Sequence, residues 1–139
     1  MSEKNVNHIK WMKRAIHLAS LGDGKTSPNP MVGAVILDKN GNIISEGFHY
    51  KAGMPHAEAM AFNNLKKDAT GGTMYVNLEP CCHQGKTPPC VDKVISSGLK
   101  KVYISIEDPD KRVSGKGIKM LKEAGIQVHL GLCKKESLD

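Results

Sequence analysis

The stretch MVGAVILDKNGNIISEGF, Met31 to Phe48, reads as a β-hairpin. Met31 to Leu37 has the length and apolar character of a buried strand, and Asp38-Lys39-Asn40-Gly41 has the residues of a tight turn. Asn42 to Phe48 is then the returning strand, antiparallel to the first. Upstream, Ile9, Met12, Ile16 and Leu18-Ala19 recur at helical spacing until Gly22 and Gly24 end the pattern. Ser27-Pro28-Asn29-Pro30 forces an extended or turning link into the hairpin.

Downstream of the hairpin, helices and strands alternate. A loop, Tyr50 to Pro55, leads to a helix from about His56 to Lys67 and a strand from Thr73 to Leu78. Glu79 to Pro89 is a loop rich in cysteine and proline. It ends in a short helix, Cys90 to Ser97, with Thr87 as N-cap and Pro88 at the first helical position. Val102 to Ile106 is a strand, Lys116 to about Ala124 a helix, and Gln127 to Leu130 the fifth strand. A hairpin followed by crossover units predicts an α/β fold, a three-layer α/β/α sandwich around a mixed five-stranded sheet. The 139 residues are the length of one domain, so a single domain is expected over residues 1–139. A chain of this size buries roughly 68–70% of its unfolded surface and needs no disulfide staples.

Composition narrows the function classes. Apolar residues are 40% and charged residues 24%, as in an ordinary soluble protein. The longest apolar run, Met31 to Leu37, is far short of the ~20 residues that span a bilayer. Met1 to Lys10 is polar and lacks the apolar core of a secretory signal, so a cytoplasmic setting is expected. The net charge of +6 favours an anionic partner such as a phosphate ester or nucleic acid. Aromatic residues are only 4%, too few for a base-stacking platform, and the lysines are scattered in pairs such as Lys66-Lys67 and Lys100-Lys101. A phosphorylated small molecule fits this pattern.

The cysteines carry more. Three of the four, Cys81, Cys82 and Cys90, lie within ten residues, and two are adjacent, a poor arrangement for a disulfide framework. His56 with Cys81 and Cys90 makes an imidazole and two thiolates, a set that suits Zn²⁺ and leaves a fourth position for water. Cys82 could take the place of Cys81; Cys81 is preferred because it directly follows Pro80. Both ligand-bearing segments open predicted helices, where unpaired N–H groups favour a thiolate. Glu58 lies two residues from His56, placed to take a proton from water at the metal and return it to a substrate nitrogen. Zinc deaminases use this pattern, with the glutamate as acid and base rather than as ligand. Here eight residues separate Cys81 from Cys90, where the usual signature has two.

With these residues the chain resembles the deaminase domain of the bacterial riboflavin-biosynthesis proteins, within the cytidine-deaminase-like superfamily. The matching segments are Ser27 to Val35, Gly47-Phe48-His49, Ala52 to Ala59, Tyr75 to Cys81, His83 and Gly85 to Cys90. Asp108-Pro109, Gly115-Lys116-Gly117 and Ala124-Gly125-Ile126 continue the match, which covers roughly residues 8 to 130. The Thr87-Pro88-Pro89-Cys90 loop is more specific than the metal motif alone. The resemblance implies that His56, Cys81 and Cys90 bind zinc, that Glu58 shuttles protons, and that Asn29, His49, His83, Lys86 and Asp108 surround the substrate. It implies hydrolytic loss of an amino group from a diaminopyrimidinone ribosylamine phosphate. Asn29 can hold a pyrimidine edge or sugar, and His83 and Lys86 a phosphate. The family usually has Asp-Pro-Asn-Pro where this chain has Asp108-Pro109-Asp110-Lys111; a carboxylate at Asp110 would repel a phosphate unless Lys111 compensates. Most members continue into a nicotinamide-dependent reductase domain, whereas this sequence stops at Asp139, and no nicotinamide site is expected. A homo-oligomer is compatible with such a fold.

Other features are read as structural. Gly24-Lys25-Thr26 and Gly85-Lys86-Thr87 mimic a phosphate-binding P-loop, but the glycine required five positions earlier is Ala19 or Pro80. Gly115-Lys116-Gly117 could bind an anion at a helix start, and a turn is the preferred reading. His8, His17 and His129 are taken as structural or surface residues without nearby partners, Trp11 and the methionines as core, and Cys133 as a free thiol. Two rivals stand beside this reading. One is a deaminase of cytidine, deoxycytidylate, guanine or tRNA adenosine, against which the long Cys81–Cys90 loop argues. The other is a zinc-stabilised nucleic-acid-binding module, which leaves Glu58 unexplained.

Overall fold

In the computed structural model, residues 3–21, 31–48, 57–80, 90–108 and 114–138 are described. Helix α1 (Glu3–Ser20) precedes the hairpin of β1 (Gly33–Leu37) and β2 (Ile43–Phe48). Then follow α2 (Ala57–Asn63), β3 (Thr73–Leu78), α3 (Cys90–Ser96), β4 (Lys101–Ile106), α4 (Lys116–Glu123), β5 (Gln127–Leu130) and α5 (Lys134–Leu138). The five strands form one mixed sheet in the order β2-β1-β3-β4-β5. Strand β1 is antiparallel to both β2 and β3, whereas β3, β4 and β5 run parallel.

Both faces of the sheet are covered, so its central strands are mostly apolar on both sides rather than alternating regularly with polar residues. Ala34, Ile36, Met74, Val76, Val102 and Ile104 point to one face, where they join Ala57 and Ala61 of α2, Val91 and Val94 of α3, and Ile118 and Leu121 of α4. Val35, Leu37, Tyr75 and Tyr103 point to the other face, against Met12, Ala15 and Leu18 of α1. Helix α5 lies on this second face, where the Ser137 and Ser105 hydroxyls are hydrogen-bonded at 2.6 Å. Three layers result, as expected.

The turn between β1 and β2 forms for the reasons legible in its residues. The Asp38 carboxylate accepts the N–H groups of Asn40 and Asn42, both at 2.9 Å, and Gly41 takes a φ of 87°. Strand β1 begins at Gly33 rather than Met31, which is 43% exposed. Helix α2 stops at Asn63, four residues short of the expected end at Lys67. Asn63 and Asn64 are weak helix formers, and the Lys66 N–H donates to the Ile44 carbonyl on β2 at 3.3 Å instead of continuing a helix. Leu65, which helical phase would place on the apolar stripe, packs on the core from the turn instead.

One reading is corrected on the α1 face. His8 has partners: its Nδ1 is 2.5 Å from the Tyr75 hydroxyl and its Nε2 is 3.0 Å from the Tyr103 hydroxyl. Tyr75, Tyr103 and His129 are register partners on β3, β4 and β5, so their rings stack along the sheet at 4.9 and 4.6 Å. His129 is therefore also partnered, by the ring of Tyr103.

Candidate active site

Strands β2, β3 and β4 all end at the same edge of the sheet, because β1 is antiparallel to its two neighbours and β3 is parallel to β4. Helices that follow such strands begin at that edge, and the crevice there is where open α/β sheets bind ligands. The described residues that carry chemistry converge on it.

Glu58 lies in the first turn of α2 and is only 4% exposed. The helix is pressed onto β2 by the absence of a side chain at Gly47, where a Cβ would stand 2.4 Å from the Ala57 carbonyl oxygen. The Ser45 hydroxyl donates to the Ala61 carbonyl and fastens the same helix one turn on. Cys90 is the first residue of α3 and is buried, and α3 packs against α2. Glu58 and Cys90 thus open two helices in mutual contact at one sheet edge. A carboxylate and a thiol in those positions meet the positive ends of the helix dipoles. Asp108, two residues beyond β4, is at the same edge, and its N–H donates to the Glu79 carboxylate at 3.0 Å.

Asn29, His49, His56, Cys81, His83 and Lys86 lie outside the described residues, as do Asp110, Lys111 and the Thr87-Pro88 cap. Among the described residues no three His, Cys, Asp or Glu side chains stand together as a metal site, and two of the three expected ligands fall outside them. What is described fits zinc: a buried cysteine begins α3, beside the helix that begins one residue after His56, and an imidazole with two thiolates is a zinc donor set.

Of the buried polar side chains not singled out from the sequence, Glu79 and Asn77 bear on this edge. Glu79, next after β3, accepts the N–H groups of Asp108, Gly115 and Ile118 at 3.0, 3.0 and 3.2 Å. It thereby occupies the start of α4 with the chain's own carboxylate; of Gly115-Lys116-Gly117, expected as a turn, only Gly115 lies in the turn, and Lys116 and Gly117 already open the helix. Asn77 on β3 accepts the Gly33 N–H at 2.8 Å and donates to the Met31 carbonyl at 3.2 Å, fixing the residues that follow Asn29-Pro30. The only local signal for either was a polar residue at the end of an apolar strand.

A family model for the zinc-binding region of cytidine and deoxycytidylate deaminases matches residues 5–106. The chain belongs to this family, and its domain is a deaminase domain of the zinc-binding type. Within the family it is similar to the riboflavin biosynthesis protein RibD of Actinobacillus pleuropneumoniae, at 50% identity over 135 residues, 97% of this chain and 36% of that protein. It is also similar to the diaminohydroxyphosphoribosylamino-pyrimidine deaminase of Buchnera aphidicola subsp. Schizaphis graminum, at 53% identity over 127 residues, 91% of this chain and 86% of that protein. The solved structure of Acinetobacter baumannii RibD, form 2, superposes with a TM-score of 0.93 at 44% identity, covering 97% of this chain and 38% of that one. The chain therefore spans little more than a third of the length of the RibD proteins and most of the length of the Buchnera deaminase.

Proposed function

We propose that this chain hydrolyses the 2-amino group of 2,5-diamino-6-(5-phosphoribosylamino)pyrimidin-4-one, releasing 5-amino-6-(5-phosphoribosylamino)uracil and ammonia. The observation that carries the reading is the burial of Glu58 and Cys90 in the first turns of two helices packed together at one sheet edge. The name of the Buchnera relative, 86% of whose length the chain covers, supports the substrate.

In this reading His56, Cys81 and Cys90 hold the zinc ion, which supplies Lewis-acid activation of water. Glu58 accepts a proton as water adds to the amino-bearing ring carbon and donates it to a ring nitrogen; it then takes the proton of the newly added hydroxyl, as that oxygen becomes the carbonyl, and passes it to the departing amine. The carbon–nitrogen bond breaks and ammonia leaves. A carboxylate held on a helix against β2 performs both transfers without rearrangement of its backbone. Asn29 and His49 are assigned to the ring and ribose, His83 and Lys86 to the phosphate, and Asp108 to the substrate from the β4 side. Residues 1–139 act as one deaminase domain, in a cytoplasmic setting and compatible with a homo-oligomer. No described helix is long and apolar enough to cross a membrane.

The test is mass spectrometry of the pyrimidine after incubation with zinc-loaded protein, looking for replacement of the amino group by oxygen. Glu58→Gln should retain one zinc per chain and lose turnover by about 10²–10⁴-fold. A Glu58→Gln protein with full turnover refutes the proton-transfer role. No product from the zinc-loaded native chain refutes the substrate and directs the assay to cytidine, deoxycytidylate, guanine and tRNA adenosine.

A further inference from the structure

Among the described residues only two carboxylates are buried, Glu58 and Glu79. A buried carboxylate is costly unless hydrogen bonds replace its water, and Glu79 obtains them from three backbone N–H groups that lie 29, 36 and 39 residues away in sequence. Those bonds join three pieces of the sheet edge at one point. The first is the end of β3, where Pro80 immediately precedes Cys81; the second is the end of β4, which carries Asp108; the third is the first turn of α4. The N-cap of α4, Gly115, has no side chain with which to cap, so Glu79 performs that role from across the edge. Gly117 makes room for it: a Cβ there would stand 2.5 Å from the Pro80 carbonyl oxygen and 3.2 Å from Glu79 Oε2.

We propose that Glu79 is a positioning residue for deamination, holding Asp108 and α4 in register with the strand end that delivers Cys81. The proposal rests on the functional reading above, in which Asp108 contacts substrate and Cys81 holds the metal. Three variants separate the effects. Glu79→Ala removes the acceptor of all three N–H groups. Glu79→Gln keeps an oxygen for Asp108 and Gly115 and turns an amino group toward the Ile118 N–H. Gly117→Ala leaves the carboxylate in place and pushes α4 away from Pro80.

Zinc content, thermal midpoint, kcat and KM for the ribosylaminopyrimidine phosphate are measured on each. The expected result is one zinc per chain, kcat within about threefold of native, and KM raised about tenfold in Glu79→Ala and Gly117→Ala and less in Glu79→Gln. A lowered thermal midpoint with KM and kcat unchanged would make the clamp merely structural and overturn the proposal, as would a fall in kcat alone. Should Glu79→Ala fail to fold, the other two variants decide by the same criteria. A native chain that leaves the pyrimidine unchanged sinks the functional reading and not the clamp. Amide exchange then judges the clamp: faster exchange at Ile118 in Glu79→Gln, whose acceptor oxygen is the one replaced, upholds it, and unchanged exchange overturns it.

Discussion

Gly47 is the position where one added carbon should be felt at the reacting groups. A Cβ there would stand 2.4 Å from the Ala57 carbonyl oxygen and 2.6 Å from the Ala61 nitrogen. Both are backbone atoms, so no side-chain rotation relieves the contact, and α2 must retreat from β2 by about 1 Å to restore ordinary van der Waals separation. Overpacking of this kind costs about 1–3 kcal/mol. At about 4 °C per kcal/mol for a domain of this size, Gly47→Ala should lower Tm by about 4–12 °C. Glu58 is the residue after Ala57 and moves with the helix, and a displacement of about 1 Å at a catalytic group costs about 10²-fold in rate. The assay is a thermal melt beside kcat for the pyrimidine substrate. Gly41→Ala is the control: its φ is 87° and nothing lies within 4 Å, so the substitution strains the backbone by about 1–2 kcal/mol. The hairpin tip is at the opposite end of β1 from the site, and turnover in the control should be native. Native Tm and turnover in Gly47→Ala, or equal losses of turnover in both variants, would refute the reasoning.

The remaining predictions concern the supports of the sheet. Asn77→Ala leaves the buried Gly33 N–H without its acceptor and should destabilise by about 1–3 kcal/mol, read as a lower urea midpoint at unchanged slope; an unmoved midpoint counts against the role given to Asn77. Burial, with Tyr103 adding to it, raises the Tyr75 hydroxyl well above the ordinary phenol range, and burial raises Tyr103 as well. Because the folded-state values are raised, the stability linked to them is complete below about pH 10 and is lost as pH rises beyond it. An alkaline absorbance titration should therefore show both phenols ionising later than an exposed tyrosine, with one late transition missing in Tyr75→Phe. Ionisation of both near pH 10 in the folded chain would contradict this.

Most of the element order was legible because its causes are local. The turn at Asp38 to Gly41 is made by bonds that span two to four residues, and β3 and β5 coincide with the strands read from the sequence. The end of α2 was misread because its cause is not local: Lys66 pairs with Ile44 on the neighbouring strand, and no periodicity in residues 57–67 reports that partner. Helix α5 was not expected for a similar reason. Its five residues carry little pattern, and it lies against β4 and α1. His8 was read as unpartnered because Tyr75 and Tyr103 are 67 and 95 residues away.

For the site the division is the same. His56, Glu58, Cys81 and Cys90 were recognisable as a set because metal and proton chemistry restrict residue types and place them within short spans of chain. Glu58 and Cys90 are buried in the first turns of their helices. What the linear order determined about this protein is therefore its succession of helices and strands as far as β5 and the identity of its chemical groups. Only the tertiary structure decided the placement of β1 between β2 and β3, and the use of Asn77 and Glu79 as buried clamps. The physical reason is that a buried polar side chain is defined by its partner. The partners of Asn77 and Glu79 are backbone groups 29 to 46 residues distant, brought within 3.2 Å by the packing of the sheet and its helices.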